Sequence, residues 1–197
     1  MNIVIIKYNA GNIRSVLFAL ERIGAEAVVT DDPELISSAD KIIFPGVGEA
    51  RSAMNYLRDR KLDLLIQKLQ QPVLGICLGM QLLCSHSEEN DTTCLGIFNE
   101  KVKKFIPPVN VHLKVPAIGW NNIFNLKSAI FTGVPENSYC YFVHGYYADI
   151  GETTIAETNY IQSYSSALHK KNFYGVQFHP EKSAGTGERI LNNFIQL

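Results

Sequence analysis

A chain of 197 residues, 46% of them hydrophobic, can bury one full core without disulfides or a metal, so a single domain over residues 1–197 is expected. Lys and Arg number 18 against 19 Asp and Glu, a net charge of −1, which excludes the basic excess that nucleic acid or an anionic membrane surface calls for. Met1–Lys7 has an apolar core too short for a signal peptide, no apolar run reaches the length of a membrane span, and Cys77, Cys84, Cys94 and Cys140 lack disulfide spacing; a soluble cytoplasmic protein with reduced thiols is expected.

In chain order, Asn2–Ile6 reads as a β-branched strand, and Gly11-Asn12 leads into a helix over Ile13–Ile23. There Ile13, Val16, Leu17, Leu20 and Ile23 recur at helical spacing, with Gly24 as the stop. Ala25–Val29 is a second strand, and Asp31-Asp32-Pro33 caps a short helix to Ser38. Lys41–Phe44 is a third strand and runs into Pro45-Gly46-Val47-Gly48; helical pattern follows from Glu49 and again over Leu62–Leu69. Pro72–Ile76 has strand length, and a helix begins at Met80–Leu83. Strands alternating with helices predict a mostly parallel α/β sheet flanked by helices. After Leu95 the pattern shifts to shorter strands: Gly96–Phe98, Lys101–Phe105, Tyr139–His144, Thr153–Glu157, Tyr164–His169 and Phe173–Phe178. They predict an antiparallel or mixed β patch added to the same sheet, before a last helix over Thr186–Ile195.

Gly75-Ile-Cys77-Leu-Gly79 has the layout of a nucleophile elbow, in which flanking glycines permit a tight strand-to-helix turn and leave the central residue strained. A thiol at that helix start is favoured as thiolate. The plain alternative is a small buried hydrophobe. A nucleophile needs a base, and Phe178-His179-Pro180-Glu181 offers one beyond the carboxyl end of a strand, where ligand sites of open α/β sheets lie. Glu181 stands at a spacing that lets its carboxylate reach one imidazole nitrogen, fixing the tautomer and leaving the other for the thiol.

His144 lies in an aromatic segment and reads as pocket wall or core, while His86, His112 and His169 read as surface residues. No His/Cys/Asp/Glu cluster has zinc spacing, so no metal or other cofactor is expected. Gly46-Val47-Gly48 lacks the third glycine and the Lys-Ser/Thr of a phosphate loop. It reads better as an oxyanion loop whose backbone N–H groups join that of Leu78.

Taken together, Pro45-Gly46, Gly75-x-Cys77-x-Gly79-x-Gln81 and His179-Pro-Glu181 resemble the class I (triad) glutamine amidotransferases. Within that class the chain is most similar to the glutaminase subunits of imidazole glycerol phosphate synthases. Gly11-Asn12-Ile13, Gly119-Trp120-Asn121, Tyr141-Phe-Val-His144 and the run from His179 to Ser183 carry the likeness. The resemblance implies a flavodoxin-like fold and a concrete chemistry. Cys77 attacks the amide of L-glutamine, His179 relays protons, Glu181 orients His179, and the N–H groups of Leu78 and Val47 hold the oxyanion after a local rearrangement. It further implies that Gly46, Gly48, Gln81, Glu89, Gly145 and Tyr146 form the substrate site. The ammonia passes to a (β/α)8-barrel cyclase that makes imidazole glycerol phosphate and AICAR in histidine biosynthesis, with Asn12, Trp120, Tyr141 and Lys182 at the heterodimer interface. The chain length suits a stand-alone glutaminase subunit. Lys7 and Asn9, where the family often has Asp and Gly, Ala117, where it often has His, and Gly145, where it often has Ser or Thr, depart from the pattern.

Three rivals remain open at the level of sequence. A paralogous subunit would feed a cyclase-like partner in cell-surface sugar biosynthesis. A general cysteine hydrolase would give Gln81 and Glu89 no role. A non-catalytic interaction subunit would carry the triad as a relic.

Overall fold

The computed structural model describes residues 1–9, 12–109 and 112–197; Gly11, in the expected Gly-Asn turn, lies outside them. The elements begin β1 (Ile3–Ile6), α1 (Ile13–Arg22), β2 (Ala27–Thr30), α2 (Pro33–Ser38), β3 (Lys41–Phe44), α3 (Ala50–Asp59), α4 (Leu62–Ile66), β4 (Val73–Ile76) and α5 (Leu78–Leu83). Short strands follow: β5 (His86–Ser87), β6 (Thr92–Thr93), β7 (Lys101–Lys104), β8 (Ala117–Ile123), β9 (Ser138–His144), β10 (Tyr146–Ala148), β11 (Thr154–Asn159), β12 (Ser163–Lys170) and β13 (Phe173–Val176). A 3-10 turn over Pro180–Lys182 leads into α6 (Ala184–Ile195).

Side chains alternate between faces along a strand, and that alternation builds two cores. In β1, Ile3 and Ile5 join one buried cluster while Val4 and Ile6 join the other. The first cluster takes Val16 and Leu20 of α1 and Ile190, Leu191 and Phe194 of α6. The second takes Ile36 of α2, Leu57 of α3, Ile66 of α4 and Met80 of α5. Continuous apolar strands are the signature of a sheet covered on both faces, and here helices cover both.

The sheet runs β2-β1-β3-β4-β13-β12-β10-β7-β5-β6, with β11 paired to β12. From β2 to β13 the pairing is parallel, and β12 and β10 extend it antiparallel. The parallel heart and the added patch therefore agree with expectation. Two details differ. Gly96–Phe98 is not a strand: Gly96 N–H donates to Cys84 O, and the Ile97 and Phe98 amides donate to Leu83 O, so the segment closes the end of α5. Tyr139–His144 does not join the main sheet. It lies in β9, which pairs with β8 in a separate ribbon, Trp120 opposite Tyr141. The β8 segment carries no clear strand signal because Gly119 and two asparagines interrupt its apolar alternation. Among the described residues no helix is long and apolar enough to cross a membrane.

Candidate active site

β4 and β13 lie side by side at the centre of the sheet with Gly75 opposite Gly175. The paired glycines let the first turn of α5 settle onto the strands, since a Cβ on Gly75 would stand 2.8 Å from Met80 N and one on Gly175 3.1 Å from Met80 Cβ. Gly79 approaches closer still: a Cβ there would overlap the Phe44 carbonyl at the end of β3. The glycines thus supply clearance, and the turn itself falls on Cys77, at φ 53° and ψ −110°. A non-glycine residue in such a region costs about 1–3 kcal/mol and persists only where its surroundings leave no alternative.

Cys77 is 6% exposed. Its sulfur lies 3.8 Å from Val143 O of β9 and accepts from Gln177 Nε2 at 3.6 Å. His179, also buried, meets Glu181 Oε1 through Nδ1 at 2.7 Å. Asn12 Nδ2 donates to the same carboxylate oxygen at 3.0 Å. Burial alone pushes the His179 ring down, but the charge of the nearby Cys77, and then the hydrogen bond and charge of Glu181, overcome it and hold the ring up to about 10. The sign follows. An imidazole whose folded value exceeds its unfolded value of about 6.5 stabilises the fold fully below that pH and loses the contribution as pH rises through about 10. We expect NMR titration to place the His179 imidazole well above the ordinary range and to find it lower in Cys77→Ala, where the largest upward push is gone; an unchanged value would contradict the coupling.

In front of the sulfur opens a cleft of about 220 Å3, lined by Val47, Gly48, Cys77, Leu78, Gln81, Glu89, Pro116, Val143, His144, Gly145 and Tyr146. It falls below the size of a drug-sized pocket and suits a single amino acid. Gln81 Nε2 donates to Tyr146 O and to Gln177 Oε1, both at 2.9 Å. Glu89 Oε2 accepts from Ala50 N–H at 2.8 Å, and burial raises its carboxyl despite that bond. His144 is wall, as expected: it contacts Tyr146 O through Nδ1 and Tyr164 Oη through Nε2, and burial takes it down to about 4, so the ring is neutral. Among the described residues no group of three or more His, Cys, Asp or Glu side chains could hold a metal ion.

The remaining expected residues separate into three places. Gly46 stands behind the cleft, where its carbonyl accepts the Leu78 N–H at 3.2 Å. Trp120 and Tyr141 meet edge to face on the β8–β9 ribbon, ring centroids 6.0 Å apart, with Lys182 Nζ 5.9 Å from the Tyr141 ring. Asn12 is buried and touches Glu181, the chain neighbour of Lys182.

The whole arrangement can be compared with known proteins. The chain matches the family described as glutamine amidotransferase class-I over residues 4–197. The chain belongs to that family. The imidazole glycerol phosphate synthase subunit HisH of Bacteroides thetaiotaomicron is 56% identical to this amidotransferase over 197 residues, covering 100% of both chains. HisH of Blochmanniella floridana is 48% identical over 199 residues, again covering 100% of both. Among solved structures, a glutamine amidotransferase from Thermotoga maritima shares the fold, with a TM-score of 0.64 at 18% identity, covering 100% of this chain and 83% of that one.

Three residues of the amidotransferase site make contacts that the sequence motifs do not announce. Gln177 touches the sulfur, Asn12 touches the Glu181 carboxylate, and Tyr8 donates to the Pro45 carbonyl at the start of the oxyanion loop. Gln177 could have been found, because Val176-Gln177-Phe178 puts one polar side chain inside an apolar strand beside His179. The contact of Tyr8 spans 37 positions, and no local signal reveals it.

Proposed function

We propose that residues 1–197 form one amidotransferase domain that hydrolyses L-glutamine and delivers the ammonia to a synthase partner in histidine biosynthesis. The buried chain Cys77–His179–Glu181, opening on a cleft of amino-acid size, carries this reading. The HisH relatives, matched along their whole length, favour the histidine pathway over a surface-sugar paralogue.

In this mechanism Cys77 Sγ attacks the side-chain carbonyl carbon of glutamine. His179, oriented through Nδ1 by Glu181, gives its proton to the departing amide nitrogen, and ammonia leaves. The γ-glutamyl thioester is then hydrolysed by water, which His179 deprotonates, releasing glutamate and the thiol. Gln81 spends both amide hydrogens within the protein, so its oxygen is the atom left for the substrate's ammonium, beside the Glu89 carboxylate. Gly48 and the backbone of Gly145 and Tyr146 complete the pocket and receive the α-carboxylate.

The oxyanion donors are the N–H groups of Leu78 and Val47. In the resting protein the first is engaged by Gly46 O, so the 46–47 peptide must turn before both can serve. This gives a partner something to control. The partner is a (β/α)8-barrel cyclase, in a cytoplasmic heterodimer, docked on the exposed ribbon around Trp120, Tyr141 and Lys182. The same strand reaches the triad: Tyr141 O accepts from the His179 amide at 2.9 Å, and Ser183 Oγ bridges the Tyr141 amide and His179 O. Ammonia set free in water becomes ammonium and loses its nucleophilicity, which is the chemical reason for delivery through a closed joint.

Two experiments check the chemistry. Acid-quenched mass spectrometry during turnover should find glutamyl mass on Cys77 with glutamine and none with a simple activated ester; labelling by the ester alone would favour a general hydrolase. Glu181→Gln should lose about 10- to 100-fold less activity than Cys77→Ala, because the amide oxygen still orients His179 while its charge is gone. Equal losses would show that Glu181 does more than orient.

A further inference from the structure

Tyr8 has no part in the mechanism above, yet it is buried at the carboxyl end of β1 and its hydroxyl donates to the Pro45 carbonyl. The ring packs on Phe44, centroids 5.1 Å apart, directly before the oxyanion loop. At the next peptide, Gly46 O takes the Leu78 N–H at 3.2 Å, and the Gly79 backbone presses on Phe44 O. Successive peptides are thus each held, 45–46 by the phenol and 46–47 by the elbow amide. The fit leaves no slack, since a Cβ on Gly46 would meet Leu78 Cβ at 2.9 Å and overlap the Tyr8 hydroxyl. Beyond lies Gly48 at φ 130°, the natural pivot for a peptide rotation.

We propose that Tyr8 is a positioning residue that latches the oxyanion loop in its resting, self-occupied form, and that glutaminase activation works against this latch. The inference rests on the reading of Leu78 and Val47 as the oxyanion donors. With the Pro45 carbonyl pinned, rotation of the 46–47 peptide has to be absorbed within residues 46–48; without the pin, residue 45 shares it and the turn becomes easier. Burial holds the phenol far above its ordinary titration range, so it stays a donor at every working pH. Tyr8 also stands four positions before Asn12, which holds Glu181, so this side of the site contacts both halves of the machinery.

The test is Tyr8→Phe, which keeps the ring packing and removes the donor, with Tyr8→Met as a second variant lacking the same hydroxyl. Glutamine hydrolysis is measured for each chain alone and with the histidine-pathway cyclase and its nucleotide ligand, and hydrogen exchange is read at the Leu78 amide. The latch predicts that kcat of the chain alone rises roughly tenfold, the worth of about one hydrogen bond, with KM within about twofold. Stimulation by the cyclase shrinks by the same factor, and Leu78 exchanges faster. Basal kcat at or below that of the unsubstituted chain, with Leu78 exchange unchanged, overturns the inference. If the unsubstituted chain with cyclase releases no glutamate, the functional reading fails instead, and the Leu78 exchange rate still decides whether Tyr8 holds the loop.

Discussion

Cys77→Ala is expected to lower glutamine hydrolysis by about 10⁴-fold or more while the variant still folds and still binds glutamine. The methyl group fits wherever the CH₂–SH did, and the cost of φ 53° remains. The thiol makes no disulfide that holds the fold together, because all four cysteines are free. Cys84, Cys94 and Cys140 cannot take over. All three are buried; burial pushes Cys94 and Cys140 up to about 12 and Cys84 well above its ordinary value. Glutamate release, followed in a coupled assay, checks the rate, and isothermal calorimetry checks that binding survives. Residual turnover within tenfold of the unsubstituted chain would remove Cys77 from the mechanism.

The second large effect concerns the frame that presents the thiol. Gly79→Ala should cost about 3 kcal/mol, because the new methyl falls on the Phe44 carbonyl and faces Pro45 at 3.4 Å. Backbone cannot rotate away as a side chain can, so either α5 lifts from β4 and β13 or the end of β3 moves. Either shift displaces the oxyanion loop against Leu78. For a chain of this size the loss corresponds to a fall in Tm of roughly 6–12 °C, accompanied by a fall in kcat. Calorimetry and a steady-state assay measure both. A Tm within 2 °C of the unsubstituted protein would show that the elbow has more room than the geometry gives it.

The sequence disclosed the site more fully than the sheet. The turn at Cys77 and the contact of His179 with Glu181 were legible because each belongs to a short motif with a definite local geometry, a tight strand-to-helix turn and a His-Pro-Glu turn. The parallel strands were legible because continuous β-branched runs have one stable home, a sheet covered on both faces. The β8–β9 ribbon was harder, since Asn121, Asn122 and Gly119 have poor strand propensity and the pairing with β9 is a long-range contact. Gly96–Phe98 has the composition of a strand, but its amides are captured by the end of α5, a tertiary choice that local pattern does not encode. Asn12 shows the same limit for function. In the resting chain its amide lies against the Glu181 carboxylate. A helix-start asparagine carries no local mark of a carboxylate 169 positions away.

The central claim is that this chain makes ammonia from glutamine under the control of a synthase partner. It is tested most directly by measuring glutamate release from the purified chain alone, then with an equimolar histidine-pathway cyclase, then with that cyclase carrying its nucleotide ligand. A self-occupied Leu78 amide predicts slow turnover alone and a large rise in kcat in the ligand-bound complex, by tenfold or more if freeing the donor is worth about 1.4 kcal/mol. Equal rates in all three conditions, with no complex formed, would contradict it.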